Sequence, residues 1–297
     1  MLDDAMNQRD CNIARLSDRG VLRVTGDDAH DFLQGLITSD MGQTGPGAGI
    51  HAALLSPQGK ILYEFFVVPG DDGFLIDCRK ESMAELTKRL GFYKLRAAVE
   101  FADLSDSHSV WAVWGDTDAF SGPGNKYSDP RLGALGLRLI APADAVSAGA
   151  DCSEATEAAY HTHRIGLGVP EGGRDYELGD TFPHEADFDQ LNGIDFQKGC
   201  FVGQEVVSRM EHRGTARKRI VPVRGEAALL GDSPDVAADG AGIGKLGSVS
   251  DRMGLALLRL DRAEKAIAQG KMIKAGDTAI ELLQPEWASF QVPRADE

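Results

Sequence analysis

The sequence predicts an α+β fold whose last third is an all-β domain. Up to about residue 115, apolar runs typical of strands are mixed with helix-patterned segments in hairpin order, without a regular strand–helix–strand repeat. After about residue 214, short apolar runs such as "RIVPVRG", "LGSVSD" and "GLALLRL" alternate with glycine turns. This second pattern is typical of a small β-barrel.

The individual elements follow from local patterns. The first predicted helix has four apolar residues on one face: Ala29, Phe32, Leu33 and Leu36. The runs "IHAALL" and "KILYEFFVV" flank "SPQG", which predicts a hairpin. A second helix is predicted to bury Met83, Leu86 and Leu90 and to end at Gly91. A third is predicted over residues 154–164, followed by the Gly-rich loop "GVPEGGRDYELGD".

Length and composition restrict the class of protein. The 297 residues predict two or three domains, and 42% hydrophobic with 26% charged residues is an ordinary globular composition. No apolar stretch is long enough for a membrane-spanning helix, so no membrane partner is expected. The acidic, polar start "MLDDAMNQRD" does not resemble a secretory signal or a transit peptide. We therefore expect a cytoplasmic protein.

The four cysteines are Cys11, Cys78, Cys152 and Cys200, and none belongs to a C-x-x-C pair. This spacing argues against a disulfide framework and against a zinc site. We expect four free thiols and no stably bound metal, with the first three cysteines structural.

A basic run interrupts an otherwise acidic chain. The net charge is −15, which disfavours direct nucleic-acid binding. Residues 209–224, "RMEHRGTARKRIVPVR", nevertheless contain six Lys or Arg and only one acid. The run is either a solvated strand and turn or a local basic surface that receives a small polyanion.

Two motif matches are weak. "GIGKLG" at residues 242–247 matches G-x-G-x-x-G, but more strand follows it where a helix is needed to hold a pyrophosphate, so a β-turn is predicted. His161 and His163 fall in a predicted helix, where residues two apart face different directions. Neither match supports a cofactor or metal site.

The segment "KGCFVGQE" places Cys200 between Gly199 and Gly203 and after Lys198. The following "QEVVSRMEHRG" predicts a short helix that starts near Gly203, with Glu205 and Arg209 as an i,i+4 pair. A thiol before a helix N-terminus and beside cations has its pKa lowered from about 8.5. Cys200 is therefore either a small buried filler or an activated thiol. The glycines and the basic flank favour the thiol.

The segment "FQKGCFVGQEVVSRMEHRG" closely resembles the motif of the YgfZ family of folate-binding proteins, which share a superfamily with the T-protein (aminomethyltransferase) of the glycine cleavage system. Weaker matches extend over nearly the whole chain. The motif positions are Lys198, Gly199, Cys200, Gly203, Gln204, Glu205, Arg209 and Gly214. The resemblance implies a three-lobed fold with a folate-binding channel, tetrahydrofolate or a derivative as ligand, and support of iron–sulfur proteins, including tRNA-modifying enzymes. The implied lobes are residues 1–45 with 103–213 (folate-binding), 46–102 (hairpin and helix) and 214–297 (barrel).

Folate contacts are also implied by resemblance. "FPHEADFD" resembles the T-protein segment whose glutamate binds the pterin, which indicates Glu185; without the resemblance, Glu185 would be interpreted as a surface carboxylate beside a turn. T-proteins carry an aspartate pair in the hairpin where this chain has Tyr63 and Glu64. A tyrosine is not an anion at neutral pH, so aminomethyl transfer is in doubt and enzymatic activity is left open.

Three functions remain after this comparison. The first is a tetrahydrofolate-binding accessory protein for iron–sulfur cluster assembly or repair, with Cys200 as the working thiol. It would act with iron–sulfur client or assembly proteins and with a folate that carries a polyglutamate tail. The second is a folate-dependent one-carbon transferase. The third, a tRNA-binding module, is suggested only by the basic run.

Overall fold

The computed structural model describes residues 11–145, 152–214, 216–232 and 234–294. Its helices are α1 (Ala29–Gln34), α2 (Met83–Lys94), α3 (Glu157–Gly166), α4 (Gln204–Arg213) and α5 (Leu260–Ala268). Its strands are β1 (Asn12–Leu16), β2 (Arg19–Thr25), β3 (Ile50–Leu55), β4 (Ile61–Gly70), β5 (Gly73–Arg79), β6 (Glu100–Asp103), β7 (His108–Trp114), β8 (Asn125–Ser128), β9 (Leu137–Pro142), β10 (Ser153–Glu154), β11 (Lys218–Gly225), β12 (Asp235–Ala238), β13 (Ala241–Ser250), β14 (Met253–Arg259), β15 (Ile273–Ala275) and β16 (Thr278–Leu282). No helix within these described ranges is long and apolar enough to cross a membrane.

The described residues divide into two compact units. The first unit comprises those within Met1–Ala53, Tyr63–Tyr160 and Gln197–Phe201, and the second those within Leu54–Leu62, His161–Phe196 and Val202–Glu297. This division differs from the three lobes that the resemblance implies. The expected boundary after residue 45 separates β2 from β5, yet these strands pair over seven residues in one antiparallel sheet. The three lobes stay a prediction from the resemblance.

The strands from β1 to β10 form two five-stranded sheets, with orders β10-β1-β7-β9-β8 and β3-β4-β5-β2-β6. Side chains from both sheets, among them Phe66, Val68, Val110 and Ile140, pack in one apolar core. Because side chains alternate along a strand, β4 directs Phe66 and Val68 into this core and the residues that alternate with them, Phe65 and Val67, to the opposite face. The predicted hairpin is confirmed as β3 and β4.

A buried charged network, here called the Phe66 cluster, lies within this core. Its members are Phe66, Arg19, Asp77, Asp129, Arg131 and Arg138. Asp77 accepts hydrogen bonds from the Nε atoms of Arg19 and Arg138, at 2.6 and 2.9 Å. Arg131 binds both oxygens of Asp129 at 3.0 and 2.8 Å. All three guanidiniums lie 4.3–5.4 Å from the centre of the Phe66 ring. Charges buried this deeply are tolerated because each has an opposite partner.

The chain ends in a closed six-stranded barrel, with strand order β11-β14-β13-β12-β15-β16. Its interior is filled by small and aliphatic side chains such as Val221, Leu246, Leu258 and Ile280. The predicted β-barrel is therefore confirmed. Helix α5, inserted between β14 and β15, was not predicted from the sequence.

Three local predictions were wrong, and two of them concern glycines. Helix α2 continues past Gly91 to Lys94, because Gly91 does not have a positive φ. The helix ends instead at Leu95, whose φ is 42°. "GIGKLG" lies inside β13 and not in a turn. Gly244 is required there because a Cβ would lie 2.1 Å from the Leu257 carbonyl oxygen of the neighbouring strand.

The third wrong prediction is that of four free thiols. Cys11 and Cys152 form a disulfide, while Cys78 and Cys200 are free. Cys11 precedes β1 and Cys152 precedes β10, and these two strands pair in parallel. The pairing brings together cysteines 141 residues apart, which local spacing cannot reveal.

Candidate functional site

The free thiol of Cys200 is exposed on a short tip of the chain. Gly199 and Cys200 are exposed, whereas the flanking residues Lys198 and Phe201 are only 7% and 8% exposed. The Lys198 ammonium lies 5.5 Å from the centre of the Phe201 ring, a cation–π distance. We call this arrangement, residues 198–201, the Cys200 tip. It presents a thiol to solvent between two buried anchors.

The ammonium of Lys198 is held by backbone carbonyls. Its Nζ donates hydrogen bonds to the carbonyl oxygens of Gln34, Ile37 and Ser39, at 2.8, 2.7 and 2.9 Å. An ammonium group has three donors, so these three carbonyls engage all of them. Lys198 therefore fixes the tip to the end of α1 and the turn that follows.

Gly203 begins α4, and its backbone has the left-handed conformation with φ 81°. A Cβ at this position would lie 2.6 Å from the Ser56 carbonyl oxygen and 3.1 Å from the Gly59 Cα. The "SPQG" turn therefore packs backbone to backbone against the start of α4, which only glycine permits. Gly199 differs, because its φ is not positive and a Cβ added there would meet no atom within 4 Å among the described residues. Only the second glycine is sterically required.

Helix α4 has the predicted start and apolar side. Val207 is fully buried, and the helix ends at Gly214 in the left-handed conformation, with the Gly214 N–H bonded to the Glu211 carbonyl at 3.1 Å. Glu205 and Arg209 are exposed, and the part of the chain that the structure describes contains no ion pair between them. The predicted i,i+4 pair is therefore not formed. Gln204 is the first residue of the helix and is half-buried.

Glu185 lies in a single helical turn, Pro183–Ala186. One carboxylate oxygen accepts the Phe182 N–H at 3.1 Å, and the other lies 3.6 Å from Lys218 Nζ. The side chain is 14% exposed, so its outer edge remains accessible. A carboxylate can accept the paired N–H groups of an aminopyrimidine ring, and the assignment of Glu185 to a folate contact stays a prediction.

Tyr63 and Glu64 do not lie on the same side of the sheet. They are consecutive residues of β4, so their side chains project to opposite faces. Glu64 is buried and accepts a hydrogen bond from His51 Nε2 at 2.9 Å. Tyr63 faces α2, where burial and repulsion from Glu85 raise its pKa against a smaller opposing effect of Arg89. The alternation of a strand was the signal in the sequence that could have shown this opposite orientation. A role of either residue in folate binding stays a prediction.

The basic run is divided between two roles. Arg219 is buried, and its Nη1 and Nη2 donate to the two oxygens of Asp189 at 2.5 and 2.8 Å. Arg209 and Arg217 are exposed, and Lys218 is partly exposed beside Glu185. The side chain of Arg213 lies outside the described part of the structure. Arg224 is exposed as well, so four described cations of the run are available at the surface, whereas Arg219 is buried in an ion pair.

One group of potential metal ligands contacts Arg219. His184, Asp189 and Glu211 bring ligand atoms within 4.8 Å of one another, and His184 Nε2 lies 3.0 Å from Glu211 Oε2. Both oxygens of Asp189 already accept hydrogen bonds from Arg219. A guanidinium thus supplies the positive charge, and we interpret the group as an ion-pair network.

The comparison with solved structures defines the class of fold. Aminomethyltransferase T of the glycine cleavage system from Bartonella henselae superimposes with a TM-score of 0.75 at 14% identity, covering 98% of this chain and 89% of that one. The protein therefore has the aminomethyltransferase T fold, a mixed α+β fold with a closed C-terminal barrel. Residues 217–290 match the model of the C-terminal β-barrel domain of CAF17.

Sequence relatives define the family. The chain is 32% identical to the mitochondrial iron–sulfur cluster assembly factor IBA57 of Mus musculus, over 92% of this chain and 84% of that protein. It is 33% identical to the mitochondrial IBA57 homolog of Neurospora crassa, over 77% of this chain. The chain belongs to the IBA57 family of iron–sulfur cluster assembly factors. It spans a little over half the length of the fungal relatives, 57% of the Neurospora crassa protein.

The expectation of a cytoplasmic protein was wrong, because these relatives are mitochondrial proteins by name. That expectation depended on the first ten residues, which lie outside the described part of the chain. An acidic and polar start did not indicate the compartment of the family.

Proposed function

We propose that this protein supports the assembly or repair of iron–sulfur clusters in client enzymes, with Cys200 as its functional thiol. The observation that carries the proposal is the exposed, free thiol held between two buried anchors in a chain of the IBA57 family. A thiolate is both a nucleophile and a ligand for soft metals such as the iron of a cluster. A structural cysteine has no need of exposure, so the exposure supports a chemical role.

Replacement of Cys200 by Ser tests this proposal. We expect Cys200→Ser to lower the activity of iron–sulfur client enzymes in cells that depend on this protein, with purified Cys200→Ser changing its free energy of unfolding by less than about 0.5 kcal/mol. Cys78→Ala, which removes the other free thiol from a buried position, is the matched control. Full client activity with Cys200→Ser, at normal protein levels, would contradict the role of the thiol.

We also propose that the protein binds tetrahydrofolate or a derivative, as the YgfZ-like motif implies. Of the three residues expected to contact folate, Glu185 has a partly accessible carboxylate beside Lys218, whereas Tyr63 and Glu64 project from opposite faces of β4. The proposal therefore depends on Glu185. Lys218, 3.6 Å from the same carboxylate, and its exposed sequence neighbour Arg217 supply positive charge for a polyglutamate tail.

Calorimetric titration with tetrahydrofolate tests this second proposal. We expect Glu185→Gln to weaken binding by about tenfold or more, since charge-assisted hydrogen bonds contribute about 1.5–3 kcal/mol. Glu177→Gln is the control, because Glu177 is 76% exposed and belongs to the same unit. Thermal unfolding of both variants separates loss of ligand contact from loss of the Phe182 contact. Equal affinity of wild type and Glu185→Gln would exclude Glu185 as the folate residue.

Clients are proposed to include iron–sulfur enzymes that modify tRNA, so the protein would affect tRNA without binding it. The net charge of −15 opposes direct contact with a polyanion. The alternative function is folate-dependent one-carbon transfer, which the shared fold favours. Against it, Glu64 is engaged by His51 and Tyr63 faces α2, so no adjacent pair of carboxylates is available on this strand. Turnover of an aminomethyl donor with tetrahydrofolate would establish the alternative.

A further inference from the structure

The hydrogen bonds of Lys198 distinguish it from the other lysines of the chain. Its ammonium is buried, and it binds three carbonyl oxygens that lie 159–164 residues earlier in the sequence. Gln34 is the last residue of α1, and its carbonyl belongs to the group that a helix leaves without an internal donor. A cation is favourable at this end of a helix.

The turn that receives Lys198 is itself fixed. Thr38 exchanges two hydrogen bonds with Ala53 of β3, through its N–H at 3.1 Å and its Oγ1 at 2.8 Å. The Ser39 hydroxyl donates to the His51 carbonyl of the same strand at 2.5 Å. Lys198 therefore binds a segment that is already attached to a sheet, and the Cys200 tip gains a rigid support.

We propose that Lys198 is the positioning residue of Cys200. It holds the thiol in place by hydrogen bonding to the turn after α1, and it does not act on the thiol through its charge. This inference rests on the function proposed above for Cys200. The three carbonyls engage the donors of the ammonium, so these hydrogen bonds stabilise the position of the Cys200 tip.

Arginine and methionine at position 198 separate the two roles. Arginine retains the positive charge, but its planar guanidinium cannot reproduce three donors converging from one nitrogen. Methionine retains much of the apolar stem and loses both charge and donors. A positioning role therefore predicts that Lys198→Arg and Lys198→Met fail alike, whereas a role through charge predicts that arginine restores function.

The experiment compares wild type, Lys198→Arg, Lys198→Met and the control Lys126→Met, a change at a partly buried lysine elsewhere in the first unit. Amide hydrogen exchange is measured for peptides covering residues 35–41 and 197–203. The pH midpoint of Cys200 alkylation by iodoacetamide and the activity of client enzymes are measured in parallel. Alkylation of the buried Cys78 reports global unfolding.

Both Lys198 variants should raise exchange in the two peptides by at least about tenfold and lower client activity, because three buried carbonyls lose their donor. The pH midpoint of Cys200 alkylation and the protection of Cys78 should remain those of wild type. If Lys198→Arg restores exchange and activity while Lys198→Met shifts the pH midpoint upward, Lys198 acts through charge and the proposal is overturned.

A measurement on wild type covers the case in which the variants fail to fold. In protein labelled with ¹⁵N-lysine, an ammonium with three buried acceptors should give one slowly exchanging –NH₃⁺ signal at neutral pH, assigned by its absence from a folded variant or by contacts to the α1 turn. Absence of any slow ammonium signal overturns the inference. This signal does not depend on the chemistry of Cys200. An inactive thiol would therefore leave the result for Lys198 unchanged, and a missing ammonium signal would leave the proposed role of Cys200 unchanged.

Discussion

The Phe66 cluster and the Cys200 tip use buried cations in opposite ways. In the cluster, three arginines share two aspartates, and every member is buried. In the tip, one lysine is satisfied by backbone carbonyls, and the residue two positions later, Cys200, remains exposed. The cation is structural in both regions. The buried network of the cluster includes all of its charged side chains, whereas the hydrogen bonds of Lys198 at the tip leave the Cys200 thiol exposed.

The largest expected effect concerns the cluster. Asp77→Ala removes the ion pair of Arg19 with Asp77 and leaves Arg138 with Asp129 alone, at 3.5 Å. We expect the free energy of unfolding to fall by about 3–5 kcal/mol in urea denaturation. Asp72→Ala is the control, since Asp72 is 62% exposed and lies 3.8 Å from Arg23. A loss for Asp77→Ala no larger than that of the control would mean that the cluster contributes little to stability.

The next effect contrasts the two glycines around Cys200. Gly203→Ala places a Cβ 2.6 Å from the Ser56 carbonyl oxygen at a positive φ, and should cost at least about 2 kcal/mol. Gly199→Ala meets no atom within 4 Å and should change stability by less than about 0.5 kcal/mol. Chemical denaturation of both variants provides the measurement. Equal losses would show that the tip, and not only the start of α4, needs glycine.

A third effect tests the cluster by pH. Burial opposes ionisation of Asp129, but the charge and hydrogen bonds of Arg131, with Arg138, outweigh it and lower the pKa of Asp129 from 3.8 to about 2. A folded pKa below the unfolded value stabilises the protein above pH 3.8, and this contribution is lost as the pH falls toward 2. Roughly 2 kcal/mol should disappear over this range. The stability gap between wild type and Asp129→Asn should therefore narrow on acidification, and a constant gap would contradict the assignment.

The smallest perturbation compares the two free thiols without changing the sequence. Cys78 is 1% exposed, and burial raises its pKa to about 12, with Arg19 opposing. Cys200 is exposed. Alkylation of the native protein by iodoacetamide, followed by mass spectrometry, should therefore label Cys200 at least about a hundred times faster than Cys78. Comparable rates would show that the native Cys200 tip is closed.

Local patterns predicted the elements on which the site depends. The "SPQG" hairpin, the start of α4 at Gly203 and the terminal barrel all follow from turn chemistry and periodicity over a few residues. The motif also identified Cys200 as the residue to examine. Helix α5 was missed because its short apolar pattern is surrounded by strand patterns.

The roles of single side chains were predicted less well. Lys198 was expected to act on the thiol, yet its partners lie near residue 37. Tyr63 and Glu64 were considered together because they stand where T-proteins carry an aspartate pair, and their side chains project to opposite faces of β4. The sequence showed the positive charge of Lys198 and the adjacency of Tyr63 and Glu64. It did not show the direction in which these side chains point.

By itself, the sequence determined the α+β class, the barrel and the glycine-flanked cysteine, because these depend on the short-range periodicity and backbone freedom of neighbouring residues. Only the tertiary structure decided which cysteines pair, which cations are buried and which thiol stays exposed. The disulfide joins residues 141 apart and the Lys198 contacts join residues at least 159 apart. Such partners are selected by burial and hydrogen-bond satisfaction in the folded chain, which no local pattern encodes.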